Sequence, residues 1–502
     1  MKNKRKLDNL GGMLAYAAGD MLGGAVGMVT STYYLTFLLY VVQLNPFLAA
    51  LATGIGKVWD GIIDPLMGVV VDHTKTKWGA CRPYFIISAV PIFLSIFLLW
   101  SDWGIANEAG TFFYFTFAYI FYTTAISVGV IPYESLLPRM VDSYEKRTDF
   151  SSVRMIFSGV ACVLTTYIYG LIITPAQGNV IGPADRGDFK LLGLIMGIFF
   201  SIPLIIAFFG TKEKYAGNKE KLTVKKVVRD YKEILSCKIY RKYFYLNVCG
   251  VFISNSVLVT VVLLVMLLFN GDPIIKIIIP FTLSFWVINI KGAFEIAFFP
   301  LNVVLMKKKN KHFPLLVDIP LIMASIAIVA FLTPDMAYPA RLGLTLAAMS
   351  LLGAGTSCLG FVPMTLLPDL SDVDELISGK RREGSTAGFV TMAKQVIGGL
   401  TVAIFGVILG YFGLDTQGDS ISDARVGALT AVKIMYCVLP FITCILMVLI
   451  SRTYKLNADS HAVIKDLIRR KKEEGKVELT EEERRICEEI TGKKAETLWI
   501  SE

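Results

Sequence analysis

The sequence predicts an all-α polytopic membrane protein with twelve transmembrane helices. Of its 502 residues, 54% are hydrophobic and only 18% are charged, whereas about a quarter of the residues in a soluble domain are charged. The charged residues are also clustered, so that long apolar runs separate them. About 20 apolar residues cross the hydrocarbon of a bilayer as a helix, and the chain contains twelve runs of that length.

The segments between these runs alternate between basic and almost free of Lys and Arg. Short loops rich in Lys and Arg remain in the cytoplasm, so we expect both termini there, in a multi-pass protein of the plasma membrane. The net charge of +9 follows from this topology, and we expect no nucleic-acid partner. The runs lie at 11–41, 46–72, 84–101, 111–138, 150–174, 190–210, 242–269, 277–306, 313–333, 341–367, 385–413 and 426–451.

A long basic segment divides the twelve runs into six and six. Residues 131–142 also resemble residues 362–372, and each copy lies at the predicted cytoplasmic end of the fourth run of its half. Matching halves are typical of transporters built from structural repeats. We therefore predict four parts: an N-terminal six-helix bundle at 1–210, a cytoplasmic linker at 211–241, a C-terminal six-helix bundle at 242–452 and a cytoplasmic tail at 453–502.

The reactive side chains favour transport over catalysis. The eight cysteines form no CxxC pair, and the three histidines all lie in hydrophilic stretches. No nucleophile–base set and no Gly-x4-Gly-Lys-Ser/Thr phosphate loop occurs in the sequence, and such a loop is the usual mark of ATP-driven proteins. We therefore predict that the protein is not an enzyme and that it uses no cofactor other than a coupling cation.

Two carboxylates lie in the apolar stretch 46–71, where Lys57 is the only other charged residue. Asp60 and Asp64 are four residues apart, so they fall on one helix face about one turn from each other. Burying two like charges together costs several kcal/mol unless a cation or a proton joins them. The pair therefore predicts a coupling-ion site. The alternative is a permanent ion pair between Lys57 and Asp60, which are three residues apart.

The sequence around this pair resembles a known family. The pattern Asp60-x3-Asp64-Pro65-x2-Gly68-x3-Asp72-x2-Lys75-x-Lys77-x-Gly79-x2-Arg82-Pro83-Tyr84 is similar to the second span and following loop of melibiose-permease-type transporters. These are the glycoside–pentoside–hexuronide:cation symporters of the major facilitator superfamily. Further agreement occurs at Tyr16-x3-Asp20, at 131–138 and at 374–394, and the resemblance covers roughly residues 10–450.

The resemblance implies a major facilitator fold of two six-helix bundles that moves a sugar and a cation by alternating access. It implies uptake of a glycoside, an oligosaccharide or a uronide together with Na⁺ or H⁺, and we expect a monomer. In this family the residues that match Asp60 and Asp64 bind the cation, and Ser127 lies where a hydroxyl assists them. If Na⁺ is the coupling ion, Asp60 and Asp64 would be its metal ligands.

Other matching positions imply a sugar site. Asp20 matches a carboxylate that accepts hydrogen bonds from sugar hydroxyls, and Arg154 and Lys394 match basic residues that face the cavity. The alternatives are a structural ion pair for Asp20 and, for Arg154, a side chain that extends to the cytoplasmic surface. Tyr133 is a candidate for stacking on a sugar face. Glu134 is a further candidate ligand for the sugar.

The chain departs from the family pattern at two positions. Val130 stands where the sugar-binding carboxylate of the fourth span is expected, and Glu134 follows one turn later, on the same face. Glu134 could replace the missing carboxylate, or it could form an ion pair near the cytoplasmic end. Ile63 stands where the family often has a polar residue, which removes an oxygen and favours H⁺ over Na⁺.

Charged residues at the predicted cytoplasmic ends are candidates for a gate that latches the two bundles in one state and releases them in the other. The alternative is a solvated loop that only sets membrane orientation. The gate candidates are Asp72, Lys75, Lys77 and Arg82 in the first half, and Asp372, Asp374, Lys380, Arg381 and Arg382 in the second.

Two other functions stay open. A lysolipid:cation symporter on the same scaffold is compatible with Val130 in place of a sugar carboxylate. A sugar sensor that does not transport could signal through the tail, for which the sequence predicts helices at 460–474 and 483–494. Thr480 and Glu483 have the spacing of a capping box. We interpret this tail as a solvated amphipathic extension.

Overall fold

The computed structural model describes residues 10–141, 144–173, 182–213, 235–269, 283–379, 383–412, 421–475 and 477–501. Within these ranges the chain is helical and contains no β-strand; one isolated bridge joins Thr76 to Gly79. Twelve helical segments of the described residues are long and apolar enough to cross a membrane. The predicted fold class is confirmed.

The helices of the first half begin where the sequence supplies caps. Asn45 accepts a hydrogen bond from the Phe47 N–H, and Pro46 occupies the first helical position of its helix, the arrangement that best satisfies a helix N-terminus. Asn107 caps a later helix in the same way. The helices are α1 (Leu10–Thr36), α2 (Pro46–His73), α3 (Arg82–Leu99), α4 (Glu108–Glu134), α5 (Leu136–Met140), α6 (Tyr144–Ile172) and α7 (Arg186–Gly210).

The second half continues with α8 (Lys238–Phe269), α9 (Leu283–Lys308), α10 (Phe313–Phe331), α11 (Tyr338–Ser378), α12 (Glu383–Tyr411), α13 (Ile421–Lys433) and α14 (Leu439–Arg452). A π-helical turn at Ile434–Val438 joins α13 to α14 as one span. α11 has 41 residues and is therefore about 60 Å long at 1.5 Å per residue. This is about twice the hydrocarbon thickness, so α11 extends beyond the bilayer and ends at Gly379, whose φ is +67°.

The chain packs into two compact units. The first unit takes the described residues within 1–221, 257–289 and 398–433, and the second takes those within 222–256, 290–397 and 434–502. The first unit thus combines α1–α7 with parts of later helices. It contains Asp20, Asp60, Asp64, Ser127 and Arg154, whereas the second unit contains Lys394 and the tail. The limits predicted for the two six-helix bundles, 1–210 and 242–452, were drawn from the charge pattern of the loops and not from contacts. They stay a prediction.

Within the first unit, α2 and α12 approach each other closely at glycines. A Cβ added to Gly399 would lie 3.0 Å from the Gly54 carbonyl oxygen and 3.2 Å from Lys57 Cβ, and one added to Gly406 would lie 2.0 Å from Ala50 Cβ. Small residues permit such close helix contacts in membranes. The side that carries Lys57 is therefore packed against α12.

The tail is a folded extension that packs on the second unit, so our interpretation of a solvated extension is wrong. Its helices are α15 (Ala458–Glu474) and α16 (Glu481–Thr491), close to the predicted ranges, with the Thr480–Glu483 capping box present. Ile464 and Leu498 have no exposed surface. Trp499 covers Gly379, where an added Cβ would lie 2.8 Å from its ring. Amphipathic spacing predicted the helices but could not reveal what their apolar faces contact.

Candidate functional site

The oxygens of Asp60, Asp64 and Ser127 converge between α2 and α4. Ser127 Oγ lies 2.6 Å from Asp64 Oδ1 and 3.5 Å from Asp60 Oδ1. The Ser127 side chain is buried, and its hydroxyl also lies 2.9 Å from the Thr123 carbonyl oxygen. A hydroxyl has one proton and two lone pairs, so Ser127 can turn its proton to Thr123 and offer an oxygen to a cation. These three side chains form the acid cluster of α2.

The local sequence of α2 adds a further oxygen to this cluster. Pro65 lies inside the helix and has no N–H to donate to the carbonyl of Gly61, four residues earlier. Gly61 lies in the same turn of helix as Asp60 and Asp64. One backbone carbonyl is therefore released from helix hydrogen bonding beside the two carboxylates.

The surroundings of Asp60 are apolar, with one cation. Lys57 is buried one turn earlier in α2 and attracts the Asp60 carboxylate electrostatically. The buried hydroxyls of Tyr119 and Tyr122 in α4 lie within electrostatic range of the same carboxylate. Trp59 Nε1–H donates to Thr124 Oγ1 over 2.9 Å and ties α2 to α4. The Asp60 carboxylate is thus repelled by Asp64 and attracted by Lys57. Both interactions that the sequence predicted are present.

A second polar cluster joins α1, α4 and α6. The Arg154 Nε–H donates to Asp20 Oδ1 over 2.7 Å, and Arg154 Nη2 lies 3.5 Å from Glu134 Oε1. Asp20 is buried inside α1, whereas the Glu134 side chain is about half exposed, at 54%. The Arg154 guanidinium therefore bridges Asp20 and Glu134. Glu134 thus forms an ion pair, which was one of its two predicted roles.

Tyr133 fixes the position of this guanidinium. Its ring stacks on Tyr16 with a centroid distance of 4.9 Å, and its hydroxyl donates to the Tyr16 carbonyl over 2.8 Å. The Arg154 guanidinium lies over the Tyr133 ring, 5.2 Å from its centroid. The ring also packs closely on Gly19, where an added Cβ would lie 2.5 Å from the Tyr133 ring. Tyr133 is 1% exposed, so in this conformation the ring is packed and offers no open face for a sugar.

The two clusters are neighbours within the first unit. Glu134 pairs with Arg154 and also lies close enough to Asp64 for the two carboxylates to repel each other. A Cβ added to Gly23 would contact both Asp20 Oδ1, at 3.4 Å, and Val130 Cγ1, at 3.9 Å. Val130 therefore lies beside Asp20, so its methyl groups stand where the family pattern would add a carboxylate. A charge change at one cluster will be felt at the other.

The remaining predicted ligand, Lys394, lies in α12 and belongs to the second unit. Its side chain is half-buried and forms no hydrogen bond or ion pair with any residue that the structure describes. A cation in a membrane span without such a partner is unusual.

The gate candidates of the first half lie around the loop between α2 and α3. Lys75 and Lys77 are exposed, and the side chain of Asp72 lies outside the described residues. Arg82 Nη2–H donates to the Phe208 carbonyl over 2.6 Å, and its guanidinium lies 4.7 Å from the Phe208 ring centroid. Arg82 is thus held by α7, in its own unit.

Glu213 anchors the same loop, a role that the sequence did not reveal. Its carboxylate accepts hydrogen bonds from the backbone N–H groups of Ala80, Cys81 and Arg82 at 2.5, 2.6 and 3.2 Å. Carboxylates stabilise helix N-termini in this way, since they satisfy unpaired N–H groups and the helix dipole. No signal was available, because Glu213 lies more than a hundred residues from the helix that it caps.

The gate candidates of the second half contact the tail. His461 Nε2 lies 2.9 Å from Asp372 Oδ2, and Lys465 Nζ lies 3.9 Å from the same oxygen. Asp374 is buried, and Lys472 of α15 pairs with the neighbouring Glu375 over 2.5 Å. The predicted residues Lys380, Arg381 and Arg382 lie outside the described residues.

The chain resembles proteins that move solutes across membranes. It is 23% identical over 435 residues to a Bacillus subtilis protein named as the uncharacterized symporter YnaJ, covering 84% of this chain and 87% of that protein. It is 29% identical over 170 residues to the sodium-dependent lysophosphatidylcholine symporter 1-A of Danio rerio, and 23% identical over 204 residues to the isoprimeverose transporter of Lactiplantibacillus pentosus. These two matches cover 33% and 40% of this chain, and only 30% and 41% of those proteins.

The fold is shared with solved transporters. The crystal structure of a D-xylose-proton symporter superposes with a TM-score of 0.59 at 14% identity, covering 85% of this chain and 97% of that one. A family model described as MFS/sugar transport protein matches residues 15–458, which confirms the resemblance seen in the motifs. The chain therefore belongs to the MFS/sugar transport protein family of the major facilitator superfamily.

Proposed function

We propose that this protein is a secondary active symporter that couples inward movement of Na⁺ or H⁺ to uptake of a glycoside, an oligosaccharide or a uronide by alternating access. The observation that carries the proposal is the convergence of the Asp60, Asp64 and Ser127 oxygens beside the Asp20–Arg154–Glu134 cluster. Hard cations take oxygen ligands, and one shared proton would equally relieve the two carboxylates.

Sugar is the favoured substrate class because polyol recognition needs fixed hydrogen-bond donors and acceptors. Asp20 supplies acceptors, and Arg154 supplies donors that remain after its bond to Asp20. In the proposed site of the first unit, Asp20, Arg154 and Glu134 contact the sugar, while Tyr133 holds Arg154 in position. Lys394 of the second unit stays a predicted sugar ligand. The family description and the isoprimeverose transporter among the relatives support this class.

The contact between the two clusters explains how cation and sugar would favour each other. A cation at Asp60 and Asp64 removes the repulsion between Asp64 and Glu134. The negative charge of Asp64 then no longer opposes the negative charge of Glu134, which remains paired with Arg154 at the sugar site. Such coupling is a reciprocal free energy, so sugar must raise the cation affinity by the same factor.

A lysolipid is the second candidate substrate. It is favoured by Val130 near Asp20, which makes that wall less polar than a second carboxylate would, and by the lysophosphatidylcholine symporter among the relatives. A zwitterionic headgroup could engage the Asp20–Arg154 pair through both of its charges.

The cellular setting of the proposal follows from the charge pattern. We propose a monomer in the plasma membrane with both termini in the cytoplasm. The gate residues proposed in the first unit are Asp72, Lys75, Lys77 and Arg82, and those proposed in the second unit are Asp372, Asp374, Lys380, Arg381 and Arg382.

The test is uptake into proteoliposomes from a panel of glycosides and lysolipids, under imposed Na⁺ or H⁺ gradients. The parent is compared with Asp60→Asn and with Asp335→Asn, a control in the exposed loop between α10 and α11. We expect one gradient to drive accumulation in the parent and in Asp335→Asn but not in Asp60→Asn. Unchanged accumulation by Asp60→Asn would refute the site, and accumulation of lysolipids alone would select the second candidate.

A further inference from the structure

The second unit contains a buried carboxylate inside an apolar helix. Asp318 of α10 is 0% exposed, as is Asn302 of α9, and Ser357 of α11 is 7% exposed. Asn302 Nδ2–H₂ donates to Asp318 Oδ2 over 2.7 Å, and the Ser357 hydroxyl lies 3.1 Å from the same oxygen. Asn302 Nδ2 also lies 2.7 Å from Ser357 Oγ. All three residues lie within candidate membrane spans.

Two oxygens of this cluster lack a partner. Asp318 Oδ1 and Asn302 Oδ1 are both inaccessible to solvent and accept no hydrogen bond from a nitrogen or oxygen donor among the described residues. The thiol and the backbone N–H of Cys358 both lie beside the Asp318 carboxyl, but neither forms a hydrogen bond with Oδ1, and a thiol is a weak donor without charge. An unpartnered buried acceptor costs free energy, so Asp318 Oδ1 points to a missing ligand.

The cluster has no compensating cation within the part of the chain that the structure describes. On α9, Lys291 pairs with Glu295, one helical turn apart. On α11, the nearest charged group in sequence is Asp369, which pairs with Lys311. His312 precedes α10, and burial lowers the pKa of its imidazole, which favours the neutral form. From the π-helical turn, the Tyr436 hydroxyl contacts Ser325 of α10 and the Cys437 thiol contacts the Ile326 carbonyl of α10; neither group is a cation.

α10 and α11 pack closely at Gly355, beside the backbone of Asp318. An added Cβ at Gly355 of α11 would lie 2.6 Å from Ile322 Cγ1 and 2.8 Å from the Asp318 carbonyl oxygen, so no space for even a methyl group exists there. An isolated ionised carboxylate in such surroundings is very costly, and the group takes up a proton instead. A proton on Oδ1 needs no extra volume and leaves the Oδ2 hydrogen bonds in place.

We propose that Asn302, Asp318 and Ser357 form a second cation-binding site of this chain, and that its ligand is a proton held on Asp318. The site is separate from the acid cluster of α2 and does not depend on the proposed function. A protonated Asp318 is a hydrogen-bond donor at Oδ1, and the proton would leave only if water reached the cluster.

The test is infrared spectroscopy of the purified full-length protein in lipid nanodiscs at pH 7. A protonated carboxyl group has a C=O stretching band that a carboxylate lacks. We expect subtraction of the Asp318→Asn spectrum from the parent spectrum to leave one such band, and subtraction of the Asp335→Asn spectrum to leave none. Absence of the band from the first difference would overturn the proposal. No sugar or gradient is needed, so failure here is distinct from failure of the transport proposal.

Two further measurements cover other outcomes. Ser357→Ala removes one hydroxyl beside Oδ2, so we expect the band to persist at a shifted frequency; an unshifted band would overturn the assignment to Asp318. Sodium-22 binding to the parent and to Asp318→Asn separates the two cations. We expect equal stoichiometry, because the site holds a proton, and loss of one bound Na⁺ per chain in Asp318→Asn would overturn the proposal.

Discussion

Replacing Asp64 by Asn tests how much the acid cluster of α2 contributes to cation binding. The change keeps the size of the side chain and one oxygen but removes one negative charge. Ser127 Oγ contacts both carboxylates, so their nearest oxygens are no more than about 6 Å apart, and a cation between them is within about 4 Å of each. At an effective dielectric constant of about 20, one charge at about 4 Å contributes about 4 kcal/mol.

Both aspartates are half-buried, and partial access of water lowers this value to roughly 2–4 kcal/mol. Each 1.4 kcal/mol is a factor of ten in affinity. We therefore expect Asp64→Asn to raise the concentration of coupling cation that half-saturates uptake by roughly 30- to 1,000-fold. The assay is initial uptake in proteoliposomes at graded Na⁺ or H⁺ concentrations, with Asp335→Asn as the matched control. A change of less than about threefold would refute the electrostatic reasoning.

Three further outcomes are expected. Arg154→Met leaves Asp20 buried without its cation, so we expect a loss of about 3–5 kcal/mol of stability in thermal unfolding, with partial recovery when Asp20→Asn is added; no recovery would contradict the ion pair. Lys472→Glu places a carboxylate against Glu375 of α11, and the repulsion should loosen the tail. We therefore expect faster maleimide labelling of Cys487, a buried thiol of the tail whose pKa burial raises to about 12. Unchanged labelling would contradict the docking of the tail. Burial acts to raise the pKa of Glu483, but hydrogen bonds from Thr480 and the Arg470 guanidinium lower it overall. Glu483 therefore stabilises α16 above the usual glutamate pKa, and this stabilisation is lost as the pH falls through the lowered pKa. Hydrogen exchange of α16, corrected for intrinsic rates, should become faster over that pH range.

The span pattern was predictable because hydrophobic length and loop charge act on each helix separately. The error at α11 shows the limit of this signal. The apolar run ends at 367, but the helix continues to Ser378, because Asp369 and Asp372 end a hydrophobic pattern without breaking helical geometry. Their partners Lys311 and His461 come from distant segments and contact the two carboxylates there.

The candidate site was predictable where its residues share one helix. Asp60 and Asp64 could be paired from spacing alone, and the family resemblance added Ser127 and Arg154 from other helices. Asp318 could have been noticed as a carboxylate inside an apolar run. Its partners Asn302 and Ser357 lie 16 and 39 positions away on different helices, and such contacts depend on packing that sequence periodicity does not specify.

The coupling between the two clusters is measured most directly as the change in substrate affinity on adding the coupling cation, for the parent and for Asp60→Asn. Equilibrium binding in detergent or nanodiscs suffices, so no gradient is required. The parent should bind its substrate more tightly when the cation is present, and Asp60→Asn should bind it with one affinity at all cation concentrations. The same cation dependence in both proteins would contradict the account.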